Sequence, residues 1–533
     1  MVRHRVACRP PERQKLQPDV RLRAPLVEIA GTTPLVLVAP HGGRRDPVER
    51  PWGKSALKVN DLHTAALTVE LAERTGAAAL INDGTDRNDV DLNRISGAVE
   101  HAPDFLVRLA GILDATVGRF GHATLLTIHG WNVIQPAVDV GLGCTPGDDP
   151  FVVGPTAAVS PGFAASAVRA LADACAARDI VATIGARYPA KAKENLLQLF
   201  TQRYRSDPRD LVRALATFAD RVDAVQLELG IPLRWAGPWR ARLLDACIEV
   251  TPRLTGEPRA ARAAAAPVAP VTPAAPTWRT LQFVSERLSG LVAVDAAGGR
   301  LLLFPPKGGV LLFTGERVVP QASDHVGALA LERPDANVRV RYAGPLLDFD
   351  ETTPFLDLEH GLGTARLIDG SVALTLTPCH PNVDATGDFG RISGTVTLGS
   401  ETFSIDGWGF AEDGPPSGPW PRLRASLKLP DRGSLTFTTT PDGGAASGFL
   451  CADGHHTPVV STQVHREGPR PLDPLRVDVD LEDGSRIEVS GAAVHQLPVV
   501  RSRGEVAVRL LFAACRLDGR PEPAGWCEVV LSP

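Results

Sequence analysis

The chain has no stretch of about 18 consecutive apolar residues, which removes a transmembrane helix from consideration. Its eight cysteines, Cys8, Cys144, Cys175, Cys247, Cys379, Cys451, Cys515 and Cys527, form no Cys-x-x-Cys pair. Thiols scattered in this way make neither a disulfide framework nor a cysteine-based zinc site, and reduced structural cysteines are expected. Neither sign of charge dominates, because the formal net charge is −5 over 533 residues. That balance excludes the broad basic surface of a nucleic-acid binder and the polybasic patch of a membrane-surface protein. Residues 1–23 are basic and rich in Pro and Gln, without the apolar core of a secretory signal. A cytoplasmic location is expected.

Apolar residues make up 44% of the chain, enough for a packed core. At roughly 150 residues per domain the length suggests three or four units. One boundary is visible. Residues 263–276 consist wholly of Ala, Pro, Val and Thr, and repeated proline stops helix and sheet while favouring extended backbone. The sequence therefore divides into a first domain at 25–250, a semi-rigid linker at 251–276 and a last region at 277–533.

Before the linker, short apolar runs alternate with helical spacing. Leu35-Val36-Leu37-Val38 and residues 77–81, 123–128, 180–184 and 222–229 are strand-like; residues 61–75, 105–117, 164–178 and 211–219 carry apolar residues at helical intervals. Such alternation predicts an α/β domain whose mostly parallel or mixed sheet is covered by helices. After the linker, short segments at 300–304, 309–313, 371–376, 394–398, 423–429, 435–439, 475–481 and 506–511 are separated by turns such as Pro441-Asp442-Gly443-Gly444. Few helical stretches intervene, so an all-β region is expected, a sandwich or a barrel, in one large or two small units.

Three short motifs of the first domain carry chemistry. Ala39-Pro40-His41-Gly42-Gly43 and Thr127-Ile128-His129-Gly130-Trp131 each place a histidine where an apolar strand ends, and Glu228 ends a third strand. In open α/β sheets ligands bind beyond the carboxyl ends of the strands. Two imidazoles and a carboxylate delivered there match a catalytic zinc site with three protein ligands and one position for water. Water bound to zinc has a pKa of about 7 and can act as nucleophile. For the third ligand, Asp46, five residues past His41, comes first, and Asp61 is the competitor; His63 falls on a helix face without a metal role. Between the histidines runs Arg87-Asn88-Asp89-Val90-Asp91-Leu92-Asn93-Arg94, where the guanidinium groups could clamp a substrate carboxylate or polarise a carbonyl. Glu228 lies within an apolar run, and a buried carboxylate there implies a partner or a proton-carrying task.

Taken in order, His-Gly-Gly, Asp-Leu-Asn-Arg, Ile-His-Gly and Gln-Leu-Glu-Leu resemble the motifs of the N-formylglutamate amidohydrolases and of the wider zinc carboxypeptidase and aspartoacylase-like clan, over residues 34–247. The resemblance implies that His41 and His129 ligate Zn2+, that Asn93 and Arg94 hold the substrate carboxylate, and that Arg87 polarises the amide carbonyl. It implies that Glu228 takes a proton from the activated water and passes it to the leaving amine. The clan's acidic ligand usually follows the first histidine closely, which points to Asp46, but Arg44 stands where its His-x-x-Glu has the glutamate. Tyr188, Lys193 and Asn195 lie where such enzymes complete the pocket and receive no role.

In the β region, Gly394-Thr395-Val396, Asp406-Gly407-Trp408-Gly409-Phe410 and Gly525-Trp526-Cys527-Glu528 resemble lipocalin-like carotenoid hydratase and related domains. Their usual His-Ser-Trp-Gly is replaced by a stretch running from Glu412 to Trp420, which favours a binding or packing role there, including an apolar ligand. His380, His455 and His456 are expected in exposed turns. The whole is consistent with a metal-dependent amidohydrolase acting on a small N-acyl amino acid such as N-formylglutamate. Two alternatives stand beside it: a hydratase or isomerase run by the β half, and a binding protein with a degenerate metal site.

Overall fold

The computed structural model describes residues 26–42, 59–256 and 279–531, except 297, 306–308, 318–323, 351–357, 380–386, 414–421, 429–433, 441–442, 453–454, 467–474, 502–504 and 518–524. Seven strands form the first sheet: β1 (Leu26–Ile29), β2 (Leu35–Ala39), β3 (Ala78–Asn82), β4 (Ala123–Gly130), β5 (Ala137–Gly141), β6 (Val181–Ile184) and β7 (Val222–Leu229). Their spatial order is β1-β3-β2-β4-β7-β5-β6. The central strands β3, β2, β4 and β7 run parallel, whereas β1 and the β5–β6 pair run antiparallel to them. The sheet is therefore mixed.

Both faces are covered, which is why the central strands read as continuous apolar runs. Period-2 alternation sends Leu35, Leu37, Leu126 and Ile128 to one face, against helices Thr64–Thr75, Arg169–Ala176 and Pro238–Leu254. Val36, Val38 and Leu125 go to the other, against Ile95–His101, Pro103–Phe120 and Asp210–Ala216. Strand β5 was not foreseen, because Asp139 interrupts its short apolar run. The helix expected at 61–75 begins only at Thr64, and helix Pro238–Leu254 carries the chain past residue 251, where the sequence places the start of the linker. Among the described residues no helix is long and apolar enough to cross a membrane, and Cys144, Cys175, Cys247, Cys379 and Cys451 are free thiols.

The rest of the described chain is all-β and takes the barrel form of the two that the sequence leaves open. Ten strands between Arg279 and Asp413 form one sheet, and strand Val310–Glu316 pairs both with Gly298–Phe304 and with Val338–Phe349, which closes a ring of eight. Nine strands between Arg422 and Leu531 form another, in which His455–Arg466 pairs with both Ser447–Ala452 and Leu475–Leu481 and closes a second ring. Closure leaves no exposed edge along the ring. The first barrel packs on the α/β unit: Val59, Ile134, Ile231 and Trp235 join its apolar cluster, and the Ile134 amide donates to the Thr314 carbonyl at 2.7 Å.

Helix Pro103–Phe120 offers a direct check on this packing. Phe105 is fully buried and Val107, two residues on, is 55% exposed. Phe105→Ala is expected to lower stability by about 3–5 kcal/mol and Val107→Ala by less than about 0.5 kcal/mol, read from urea midpoints at constant slope. Equal effects would place the helix face wrongly.

Candidate metal centre

The carboxyl ends of β2, β3 and β4 set the first residues in place. Beyond β2 the chain turns, and Asn82 at the end of β3 holds the turn by donating Nδ2 to the Pro40 carbonyl at 2.9 Å. A Cβ on Gly42 would lie 2.3 Å from the Asn82 carbonyl oxygen, so only glycine permits this approach. His41 then accepts, through its own carbonyl, the amide of Asp61 at 3.0 Å, which brings together residues 20 apart in the chain. His129 lies near the end of β4 and is paired in register with Glu228 of β7, which is paired in turn with Asp139 of β5. Paired residues share a sheet face, so His129, Glu228 and Asp139 form a row across three strands.

One carboxylate oxygen is the meeting point. Asp61 Oδ2 lies 3.2 Å from His41 Nδ1 and 3.1 Å from His129 Nδ1, and the two rings meet edge to face with centroids 5.0 Å apart. Arg87 Nη1 donates to Asp61 Oδ1 at 2.8 Å. Burial pushes the Asp61 carboxyl up, but Arg87, His41 and the two imidazole hydrogen bonds outweigh it and hold the group well below the usual carboxylate range. Burial holds His129 below the ordinary histidine value, against the pull of Asp61, which favours the neutral, ligating form. His41, Asp61 and His129 are all buried, with one ligand atom from each within 4.8 Å of the others, and such a group can hold a metal ion.

The protonation of His41 tests that fit. Its Nε2 lies 2.7 Å from Asp91 Oδ1, while its Nδ1 faces Asp61. A neutral imidazole has one N–H. If Nε2 donates to Asp91, the lone pairs of His41 Nδ1 and Asp61 Oδ2 face each other. A bound cation would turn that repulsion into ligation, and Asp91 would fix the ring as outer carboxylates do for metal-bound histidines.

Glu228 stands in a different environment from Asp61. Burial, reinforced by the negative charge of Asp61, drives its carboxyl well above the ordinary glutamate value. Gln226 Nε2 donates to Glu228 Oε1 at 2.8 Å, and Asn195 Nδ2 donates to Gln226 Oε1 at 2.9 Å, so a two-step amide chain orients the carboxyl. Asp139 serves the loop beside it, accepting the amides of Ala186 and Arg187 at 3.0 and 2.8 Å as well as that of Tyr188.

Of the third-ligand candidates, Asp46 lies outside the described residues, as does Arg44, and Asp61 is the acid brought to both histidines. Arg87 is anchored on Asp61 and on the Val59 carbonyl at 3.2 Å, with its Nε buried and unpartnered among the described residues. Asn93 offers a buried Oδ1 without a partner among the described residues; Arg94 is half exposed, 3.8 Å from Asp91. His63 packs against Trp235 at 4.2 Å, and burial with the nearby Arg234 and Arg240 lowers its pKa to about 4. Asp91, Gln226 and Arg234 escaped sequence reasoning; the aspartate in Asp-Leu-Asn-Arg was the available signal for the first. Tyr188 meets Trp131 edge-on at 5.8 Å. In the β region, His380 lies outside the described residues, and His455 and His456 open a strand rather than occupying a turn, with His456 part-buried 3.8 Å from Cys451 Sγ. A second acidic group, Asp324, His325 and Glu332, is less suited to a cation, because Arg341 already holds Glu332 at 2.6 and 2.7 Å.

No family model matches the chain, and no curated protein matches it by sequence. Solved structures do resemble it in part. N-formylglutamate amidohydrolase from Ralstonia eutropha aligns at 15% identity over 44% of this chain and 97% of its own, with a TM-score of 0.31. A putative AttH protein from Nitrosomonas europaea aligns at 13% identity over 49% of this chain and 98% of its own, with a TM-score of 0.31. A gene product from Agrobacterium tumefaciens aligns at 13% identity over 44% of this chain and 94% of its own, with a TM-score of 0.28.

Proposed function

We propose that the chain is a zinc-dependent amidohydrolase that cleaves the amide bond of a small N-acyl amino acid, with N-formylglutamate as the leading substrate. The observation that carries this proposal is His41 held between two carboxylates with its Nδ1 turned to the Asp61 oxygen that His129 Nδ1 also faces. His41, Asp61 and His129 would hold the ion. Bound zinc supplies Lewis acidity and lowers the pKa of its water to roughly 7.

The remaining work falls to the chain's own side chains. Glu228 takes a proton from the attacking water and hands it to the departing nitrogen. Its raised pKa suits the second task, and charge neutralisation at Asp61 by a bound cation would remove one cause of that rise and so ready it for the first. Gln226 and Asn195 keep its carboxyl oriented. Arg87 keeps Nη1 on Asp61 and has its unpartnered Nε left for the amide oxygen as charge develops there. Asn93 and Arg94 hold the substrate carboxylate, Arg94 exchanging its loose contact with Asp91 for it.

Metal content tests the centre. Protein made under zinc-replete conditions is expected to carry about one zinc per chain. His129→Ala and Asp61→Asn should each lose it, and Asp46→Asn should keep it. Folded wild-type protein without zinc would sink the proposal.

Turnover tests the base. Glu228→Gln is expected to keep its zinc and to lose about 10²- to 10⁴-fold in kcat on an N-formyl or other N-acyl amino acid. Undiminished kcat in that variant would take the proton transfer away from Glu228.

A further inference from the structure

Arg234 heads the largest fully buried side chains of the molecule, with no exposed surface. A buried guanidinium is costly unless its N–H groups are met. Among the described residues its hydrogen bonds run only to uncharged oxygens. Nε donates to the Leu229 carbonyl at 3.0 Å, Nη1 to the Leu62 carbonyl at 2.7 Å, and Nη2 to the Trp131 carbonyl and to Asn132 Oδ1, both at 3.2 Å.

Those acceptors have one thing in common. Leu62 follows Asp61, Trp131 and Asn132 follow His129 and Gly130, and Leu229 follows Glu228. One planar group thus grips the three segments that carry an acidic ligand, an imidazole ligand and the carboxyl beside them. The arginine reaches them because the short helix Ile231–Arg234 turns straight back after β7. Gly130 makes the space: a Cβ there would lie 2.5 Å from Arg234 Nη1, 2.7 Å from its Cζ and 3.0 Å from the Asp61 Cβ. The guanidinium cannot step aside cheaply, since its bonds point in three directions.

The geometry points to Arg234 as a positioning residue that locks the Asp61, His129 and Glu228 segments into one metal-binding arrangement, with Gly130 as the cavity it requires. This rests on reading His41, Asp61 and His129 as metal ligands. Lysine cannot replace the group, because a single ammonium lacks the flat fork that reaches all three carbonyls.

The test compares wild type with Arg234→Lys, Gly130→Ala and, as a variant that loosens the fold elsewhere, Phe105→Ala. Zinc affinity is measured by chelator competition, and the visible spectrum of cobalt(II)-loaded protein reports ligand geometry. Arg234→Lys and Gly130→Ala are each expected to weaken zinc binding at least about tenfold and to alter the cobalt spectrum. Phe105→Ala should melt earlier while leaving both readouts at wild-type values. Wild-type affinity and spectrum in Arg234→Lys and Gly130→Ala would overturn the inference, as would an equal loss of zinc affinity in Phe105→Ala. Wild-type protein that takes up no zinc in the same titration would instead refute the metal reading on which the inference rests.

Discussion

The constraint on which the α/β half turns is the sharing of one buried carboxylate. Asp61 gives one oxygen to two imidazoles and the other to a guanidinium. Each of these groups is costly to bury alone, and each is tolerable only because the others are there. The arrangement draws in the turn after β2, the segment before helix Thr64–Thr75, the end of β4 and the loop that carries Arg87. The sheet exits converge on a single point, where the Asp61 carboxylate meets groups from each of them.

Two neighbouring carboxyls stand in opposite environments in this arrangement. Asp61, ringed by Arg87 and the imidazoles, is driven toward the charged form. Glu228, buried and facing the charge of Asp61, is driven toward the protonated form. Two carboxyls pushed in opposite directions within one site suit the proposed roles of ligand and proton carrier. The amide chain from Asn195 through Gln226 to Glu228 shows that orientation of the second group is also controlled.

The barrels are not simply strung behind the α/β unit. The Ile134 amide pairs with Thr314, and Arg187 meets Glu316 at 3.1 Å, both on strand Val310–Glu316. Gln135 lies against Gly315 and Gly327, where a Cβ on either glycine would come within 3.2 Å of its side chain. The strand that closes the first ring therefore rests on the segment just past His129 and on the loop anchored by Asp139. The first barrel backs the candidate site from outside its polar cluster.

Sequence alone determined the larger divisions. Continuous apolar runs marked the central strands, because a sheet buried on both faces needs no polar alternation, and helical spacing marked the helices that cover it. It also placed His41, His129 and Glu228 at strand ends. It missed strands such as Val338–Phe349, whose buried and exposed residues alternate and so leave no apolar run to notice. Only the tertiary structure brought Asp61 to both histidines, tied Arg87 to it, and set Asp91 behind His41 and Arg234 behind three carbonyls. Those choices are contacts between residues far apart in the chain, and local pattern carries no trace of a partner that distance in sequence conceals. The physical reason is burial: which charges must meet is decided by which groups the folded core removes from water together.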